Sequence, residues 1–361
     1  MSIHIQMTEA AAKIYKKAAL RNKLSSFLSC LLFLLLGGGM SAGMGVLDYF
    51  GAGDLGDSLS GGGDGIGTPE GSGSTLEGTL YDLKKKRNGT PTGLKGGAEN
   101  QDAVIEALAK FFTNWNEAGL NRYYRSPIKL YASNWYLPVA EAKYGPIAFQ
   151  VGDPKKPESR WECRPSAWLA VYRGRVTAPK TGKFRFIGTG DDFIAVRFDR
   201  KTVLDAGYRL PTRWDKNNPR AAWVSGSGDG DNFRNDIASG KDKNRKAYKF
   251  IKGIPGCQIW DNELGGLIAG TPFFVKEGMV YDIEIAISEI TGGKFGFVLF
   301  IEDITDGAND KAKQYDLFRT SDVNPDVDKV MQALKEAGCH AGDYRIPFNT
   351  DSWVWECVPM D

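Results

Sequence analysis

Residues Ala178–Asp205, with the sequence APKTGKFRFIGTGDDFIAVRFDRKTVLD, predict the fold of this chain. Apolar and polar residues alternate over two short runs, Lys183–Gly188 and Phe193–Phe198, and a period of two is typical of half-buried β-strands. A Pro/Gly turn at Ala178–Gly182 precedes the first run. A tight turn at Thr189–Asp192 separates the two runs. The stretch therefore predicts a β-meander, with two adjacent aspartates at the start of its second strand.

The composition is that of a globular protein with a substantial core. The chain has 361 residues, of which 42% are hydrophobic and 12% aromatic. This length suits one large or two small folded units with accessory segments. The 46 basic and 44 acidic residues leave a net charge of +2, which gives no reason to expect a nucleic acid as partner.

The N-terminal part predicts a membrane anchor. Leu24–Leu47 contains no charged residue and is long enough to cross about 30 Å of hydrocarbon. Residues 1–23 are basic, whereas acidic residues follow the apolar run. The positive-inside rule then places the N-terminus in the cytoplasm and the bulk of this single-pass protein in the periplasm or on the cell surface.

Two features of this segment leave alternatives open. A cleaved signal peptide would have its apolar region at Phe27–Leu36 and small residues after it. An uncleaved signal-anchor fits the long basic leader better. Gly39 and Gly43 are four residues apart, a spacing that lets membrane helices pack closely, so a homo-oligomer or another protein partner is a further hypothesis.

The segments that follow predict a tether and then a lead-in to the β region. Residues 48–75 form a Gly/Ser/Asp-rich linker. Within 76–119 we expect a strand at Leu76–Leu83, a solvated basic turn at Lys84–Arg87 and a helix at Asn100–Ala118 whose aromatic stripe faces the core.

Residues 120–303 predict the main β domain. Trp168–Thr177 reads as a strand, and Met279–Ser288 with Phe295–Glu302 reads as a hairpin closed at Thr291–Gly293. A polar, Gly/Asp/Asn-rich insertion spans 206–270, where function often lies on a rigid scaffold.

The tail and the fold class complete the organisation. Residues 304–361 predict a helix at Pro325–Ala337 and a final strand at Asp351–Val358. The predicted fold class is mainly β: an antiparallel β-sandwich with a long loop insertion, flanking helices and one N-terminal transmembrane helix.

Four of the five cysteines lie outside the apolar run: Cys163, Cys257, Cys339 and Cys357. An even number beyond a membrane anchor suits disulfides in an oxidising compartment. The sequence contains no C-x-x-C pair, so metal binding by these four cysteines is disfavoured. Of the three possible pairings, we favour Cys339–Cys357, which closes a short loop, with Cys163–Cys257.

The stretch Arg175–Ala206 resembles the core of the protective-antigen-type domain, which is shared by anthrax protective antigen, yeast flocculins and accessory modules of bacterial glycosidases. The matching residues are the Pro-x-x-Gly turn, the aromatic strand, Asp191–Asp192 and the V-L turn. The segment EGMVYDIEIAISEITGGKFGFVLFIED resembles the last hairpin of that family, with the pattern G-x-x-Y-x-I-x-I-x-x-x-E. The resemblance covers about residues 120–303 and implies an antiparallel β-sandwich.

The resemblance also implies a site. In sugar-binding members, two adjacent aspartates hold a Ca²⁺ ion that coordinates ligand hydroxyls, and Asp191 and Asp192 match that pair. Ca²⁺ prefers several oxygen ligands, and from composition we propose Asp229, Asp231 or Asn232 in the insertion as further metal ligands. The alternative is that the aspartate pair serves turn geometry or domain contacts, as in members that bind no sugar.

The sequence favours a binding or structural role over catalysis. Only two histidines occur, His4 and His340, and no serine-nucleophile, zinc-protease or phosphate-loop motif stands in a credible context. We expect a membrane-anchored binding module for a glycan or envelope polymer. The alternative is a structural or assembly subunit of a bacterial envelope complex that acts through protein contacts.

Overall fold

The computed structural model describes residues 75–97, 99–142, 166–224, 230–251, 266–312, 314–322, 327–328, 332, 346–349 and 351–358. The predicted transmembrane helix Leu24–Leu47 and the linker that follows it lie outside these residues, as does most of the predicted helix Pro325–Ala337. In the described ranges, no helix combines the length and the apolar character that a membrane crossing requires.

The described chain is mainly β, with two α-helices and four short 3-10 helices. The helices are α1, Gln101–Phe112, and α2, Gly230–Ala238, with 3-10 turns at Glu117–Leu120, Pro211–Arg213, Pro219–Ala222 and Lys243–Arg245. The strands are β1 Leu76–Lys86, β2 Tyr123–Ala132, β3 Tyr136–Glu141, β4 Trp168–Thr177, β5 Gly182–Asp191, β6 Phe193–Phe198, β7 Lys201–Gly207, β8 Lys249–Ile251, β9 Leu267–Ala269, β10 Phe273–Val275, β11 Val280–Glu289, β12 Lys294–Asp303, β13 Tyr315–Leu317, β14 Phe348–Asn349 and β15 Cys357–Val358.

These strands form two sheets in a sandwich-like arrangement. The first sheet has the order β2-β1-β4-β11-β6-β7, with β15 also paired to β4. The second has the order β14-β13-β12-β5-β9-β8, with β10 on β5 and β3 on β12. The pairs are antiparallel except β13 with β14. Side chains of both sheets fill one core, among them Phe186, Ile285, Phe297 and Trp355.

The central strand β5 is buried on both of its faces, which differs from the half-buried strand that the sequence predicts. Phe184 and Phe186 point into the core between the sheets. Ile187 belongs to a second cluster, with Val298 and Phe300, on the other face of the second sheet. The alternation of apolar and polar residues in β5 therefore indicates which residues share a face. It does not indicate that the second face is also covered.

The predicted meander is wrong at Thr189–Asp192. Thr189, Gly190 and Asp191 continue β5, and β6 then begins in the opposite sheet. One edge of β5 is occupied by β12 and the other by β9 and β10, so no edge remains for β6. The chain crosses from the second sheet to the first at Asp191–Asp192, where the peptide bond is cis.

The predicted hairpin of Met279–Ser288 and Phe295–Glu302 is also wrong, because its two strands lie in different sheets. The two strands exist as β11 and β12, and Ile283, Ile285 and Ile287 are buried as expected. However, β11 pairs with β4 and β6, whereas β12 pairs with β5, β3 and β13. Residues 290–293 therefore form a second crossing between the sheets, at the same end of the sandwich as the first.

Helix α1 covers part of the outer face of the first sheet. Phe112 contacts Phe193 of β6 at 4.9 Å between ring centroids, and Phe111 and Trp115 are buried beside them. The aromatic stripe thus faces the core, as predicted. The helix ends at Phe112 and not at Ala118, and Trp115 has a φ of 53°, which is incompatible with helical backbone.

Lys84 and Lys85 do not form the solvated turn that the basic cluster Lys84–Arg87 predicts. Both lie in β1 and are buried. The Lys84 ammonium is 2.7 Å from a carboxylate oxygen of Asp82 and also bonds the carbonyl of Ser166. The carboxylate and the carbonyl compensate the charge that Lys84 buries, so a run of lysines need not be exposed to solvent.

The insertion 206–270 is more than a loop. It contains α2 and the strands β8 and β9, which extend the second sheet. Buried Asp205 at the end of β7 fastens it, because this carboxylate accepts hydrogen bonds from Arg245, Thr212 and Tyr248.

The disulfide predicted between Cys339 and Cys357 is not found, because Cys357 is a free thiol. Cys357 lies in β15, where it pairs with Val176 and hydrogen-bonds Thr320. Burial raises the pKa of the thiol to about 11. Cys163, Cys257 and Cys339 lie outside the described residues. The final strand covers only Cys357–Val358 of the predicted Asp351–Val358.

Candidate functional site

The two sheet crossings bring three carboxylates together. Asp191 ends β5 and Asp192 follows it, while Glu289 ends β11 in the facing sheet. One carboxylate oxygen from each of the three lies within 4.8 Å of the others, and all three residues are buried. In the described part of the chain, this is the one group of three such residues that has metal-binding geometry.

Backbone N–H groups of the second crossing hold Asp192 in place. Its Oδ2 accepts hydrogen bonds from the N–H groups of Ile290 at 2.7 Å and Thr291 at 3.2 Å. Its own N–H donates to the carbonyl of Ser288 at 3.0 Å. The Asp192 side chain is therefore fixed by residues that follow β11.

Glu289 is held by the same segment. Its Oε1 accepts a hydrogen bond from the Gly292 N–H and a longer one, of 3.4 Å, from the Thr291 hydroxyl. Its Oε2 is buried and accepts no hydrogen bond from the described residues. A buried carboxylate oxygen without a donor is costly unless a cation or proton reaches it.

Burial shifts the pKa values of Asp192 and Glu289 upward, and repulsion adds to the shift of Glu289. Burial raises the pKa of Asp192, although the N–H groups of Ile290 and Thr291 and the charge of Arg209 oppose the shift. Burial raises the pKa of Glu289 well above its ordinary value, and the negative charges of Asp192 and Asp191 raise it further. Such a cluster favours either a bound proton or a bound cation.

One side of the site has a wall of stacked side chains. The backbone N–H groups of Tyr208 and Arg209 donate to the carbonyl of Asp192 at 2.7 and 3.1 Å. The Arg209 guanidinium lies 4.0 Å from the centroid of the Tyr208 ring and 4.2 Å from that of Trp223. Both rings are half-buried, and Arg209, whose charge opposes the rise in the pKa of Asp192, connects them to the carboxylate site.

Gly207 permits this close approach of β7 to the carboxylate site. Its φ is +136°, and a Cβ atom there would lie 2.3 Å from the carbonyl oxygens of both Asp192 and Gly190. Only glycine fits such a position.

The chemistry of the three side chains suits a hard divalent cation. Ca²⁺ binds oxygen ligands at about 2.3–2.6 Å, so two ligands of one ion are at most about 5 Å apart, and the 4.8 Å limit here fits. The group contains neither the thiolates nor the imidazoles that zinc prefers. Asp191 is 8% exposed, whereas Asp192 is 1% and Glu289 0% exposed, so a ligand would approach on the Asp191 side.

The structure treats the sequence-predicted site residues differently. Asp191 and Asp192 lie together in the cluster. Asp229 lies outside the described residues, and Asp231 and Asn232 belong to α2, with side chains that are likewise outside the described part. Asp236, from the same segment, pairs instead with Arg213 at 2.9 Å.

Glu289 is the residue that sequence reasoning missed. It is the final glutamate of the pattern G-x-x-Y-x-I-x-I-x-x-x-E that carries the family resemblance. That pattern is the signal for Glu289, but a local hairpin gives no reason to bring it near Asp191 and Asp192.

No protein-family model and no curated protein sequence matches this chain. Among solved structures, the PA14 sugar-binding domain from an RTX adhesin is 12% identical over 68% of this chain and 94% of that domain, with a TM-score of 0.30. The Epithelial Adhesin 6 A domain from Candida glabrata, in complex with Galb1-3GlcNAc, is 13% identical over 67% of this chain and 84% of that one, with a TM-score of 0.30.

A third similar structure is an anti-sigma factor domain-containing protein from Clostridium clariflavum, which is 11% identical over 63% of this chain, with a TM-score of 0.27. The match spans only 41% of that protein's length.

Proposed function

We propose that this protein is a membrane-anchored, extracytoplasmic binding module that holds Ca²⁺ between Asp191, Asp192 and Glu289 and uses it to bind a glycan. The observation that carries the proposal is the convergence of three buried carboxylates from two sheet crossings. Ca²⁺ takes six to eight oxygen ligands. Three carboxylates leave positions that water and the hydroxyl groups of a sugar can fill.

The surroundings of the carboxylates support a sugar as ligand. Arg209, whose charge acts on Asp192, stacks on the half-buried rings of Tyr208 and Trp223, and apolar surface with a few placed polar groups is typical of small-molecule sites. The proposed role is binding, and we propose no catalytic role for the residues of the site.

The test is a glycan array probed with the full chain in detergent, in Ca²⁺ and in chelator. We expect retention that depends on Ca²⁺ and is lost in the double variant Asp191→Asn, Asp192→Asn. Asp282→Asn is the matched control, because Asp282 is an exposed aspartate of the first sheet with 53% of its side chain accessible. Retention that is unchanged in chelator would overturn the proposal.

Calorimetric titration with Ca²⁺ separates the two halves of the proposal. Binding of Ca²⁺ without any retained glycan would leave a structural cation that joins the two crossings. If the same sample forms one defined oligomer in detergent, that result would favour the assembly role expected as the alternative.

A further inference from the structure

The described part of the chain has four exposed large hydrophobic side chains, and all four lie at one end of the sandwich. Phe274 is 60%, Met279 55%, Trp353 50% and Val280 43% exposed. Single exposed apolar residues are normal on a protein surface, but a contiguous group marks an interaction site.

Backbone hydrogen bonds bring the segments that carry these residues to the same end of the sandwich, which we call the apolar end. Ala178 exchanges backbone hydrogen bonds of 2.9 Å with Met279 and Gly278. Thr177 donates to the carbonyl of Glu356, three residues after Trp353. Phe274 pairs with Lys183 at the start of β5. The segments that carry the four side chains therefore lie side by side.

The apolar end lies at the opposite end of the sandwich from the carboxylate site. Strand β11 begins at Val280 and ends at Glu289, a length of about 30 Å at roughly 3.3 Å per residue. The apolar end is therefore too far away to contact a ligand of the carboxylate site.

The chain enters the sandwich on the side of the apolar end. Strand β1 begins beside Arg173 in the half of β4 that leads to Thr177, and it runs from there toward Trp168, which pairs with Glu289. The uncharged run Leu24–Leu47 precedes this entry point in the sequence. An anchor in that run, joined through the predicted flexible linker 48–75, would keep the sandwich close to a membrane and leave the apolar end free to reach it.

The composition of the apolar end matches the membrane interface. Tryptophan, phenylalanine and methionine are joined there by Lys183, Lys276 and Lys180, whose ammonium pairs with Asp303 and lies 5.9 Å from the centroid of the Trp353 ring. Aromatic side chains prefer the headgroup level, and lysines extend their charge to water while their stems stay in apolar surroundings.

We propose that the apolar end docks on the lipid bilayer, with Trp353, Phe274 and Met279 inserted at the interface. The proposal rests on the membrane attachment in the proposed function but not on the glycan site. Amphipathic helices at the interface bury their apolar face about 5–10 Å into the headgroup and acyl boundary, and we expect the apolar end to insert no deeper. Docking would hold the carboxylate site away from the membrane.

The test uses tryptophan fluorescence of the full chain in vesicles of phosphatidylcholine, with and without phosphatidylglycerol, whose acyl chains carry bromine as quencher. Leu24–Leu47 contains no tryptophan, so a membrane anchor there adds no signal. We expect quenching that disappears in Trp353→Phe and persists in Trp214→Phe, a matched change at a half-buried tryptophan in the insertion.

Phe274→Ser with Met279→Ser keeps Trp353 as the reporter and should reduce its quenching, since exposed substitutions of this kind seldom affect folding. Unquenched Trp353 in both lipid mixtures would overturn the proposal. So would a dimer that shields Trp353 from lipid, because the partner would then be a second copy. Asp191→Asn with Asp192→Asn should leave quenching unchanged, which separates this test from that of the glycan site.

Discussion

The carboxylates of Asp192 and Glu289 lie together because each belongs to a segment that carries the chain from one sheet to the other. Asp192 accepts hydrogen bonds from Ile290 and Thr291, the first two residues after Glu289. The two crossings are therefore bonded to each other through the site itself. A cation between them would join the two sheets at that end of the sandwich.

Glu289→Gln is expected to weaken Ca²⁺ binding at least tenfold while the fold is kept. The amide preserves the shape and the acceptor for Gly292, but it removes one negative charge and a ligand of Ca²⁺. Calorimetric titration measures the affinity. Glu284→Gln, on the outer face of the same strand, is the control, and an equal loss in both variants would contradict the role of Glu289.

Stability without Ca²⁺ should fall as the pH rises. The pKa of Asp192 and that of Glu289 are raised by burial above their ordinary values of 3.8 and 4.5. Each group therefore stabilises the fold fully below its ordinary value, and this contribution is lost as pH rises through the raised value. Ca²⁺ should restore it, so the gain in Tm on adding Ca²⁺ should grow with pH.

Scanning calorimetry at a series of pH values, with Ca²⁺ and with chelator, measures this dependence. Glu289→Gln provides the control, because the variant lacks one of the two titrating groups and should show a flatter profile in chelator. A gain in Tm that is the same at acidic and neutral pH would argue against the predicted exchange of protons for Ca²⁺.

Gly207→Ala should destabilise the protein by about 1–3 kcal/mol and also weaken Ca²⁺ binding. The new Cβ would meet the carbonyl of Asp192 at 2.3 Å in addition to the strain of a positive φ. Gly240→Ala is the matched control, because Gly240 has a φ of +69° but no atom within 4 Å of a built Cβ. Denaturant unfolding compares the two, and equal losses would mean that backbone strain alone matters.

Asp205→Asn should cost about 3–5 kcal/mol because it removes the buried carboxylate that pairs with Arg245, which then keeps only its pairing with Asp242. Burial alone would raise the pKa of Asp205, but the charge of Arg245 and the hydrogen bonds from Arg245, Thr212 and Tyr248 hold it below its ordinary value. The Asp205–Arg245 pair therefore stabilises the fold at pH values above the ordinary pKa of Asp205. This contribution is lost as the pH falls through the lowered pKa.

The free energy of unfolding by denaturant measures the effect of Asp205→Asn. Asp282→Asn, which removes an exposed contact of 3.8 Å with Arg200, should cost less than about 1 kcal/mol. If Asp205→Asn were equally mild, Asp205 would not fasten the insertion to β7.

Cys357 should react slowly with iodoacetamide near pH 8. A pKa of about 11 leaves only about 0.1% of the thiol as reactive thiolate at that pH. Mass spectrometry of the peptide that contains Cys357, after timed alkylation of folded and denatured protein, gives the rates. Rapid labelling in the folded state, or a disulfide at Cys357, would contradict the structure.

The sequence predicted strands better than it predicted their partners. Alternation placed β4 at Trp168–Thr177 and the isoleucines of β11 on one face, because side-chain direction depends only on local geometry. The turns Thr189–Asp192 and Thr291–Gly293 look alike whether the next strand pairs locally or crosses to the facing sheet. That choice depends on which strand edges are occupied, and those edges belong to distant residues.

Two of the three carboxylates of the site were predicted, and the third was not, because its position depends on strand pairing. Asp191 and Asp192 are adjacent in sequence and matched a known pattern, whereas Glu289 joins them only through the two crossings. Its proximity follows from the pairing of Phe193 with Ser288 across β6 and β11, which no local pattern in the sequence reveals.

The two crossings also have a consequence for how the chain folds. Neither β5 with β6 nor β11 with β12 can zip together as a local hairpin, since the members of each pair end in opposite sheets. Strand β5 pairs with β12, and the local hairpin of β6 and β7 joins β4 only through β11. Loop closure over such separations slows folding. Strands β1, β2 and β4 can pair among themselves, but we expect refolding of the complete sandwich to be limited by the late arrival of β11 and β12.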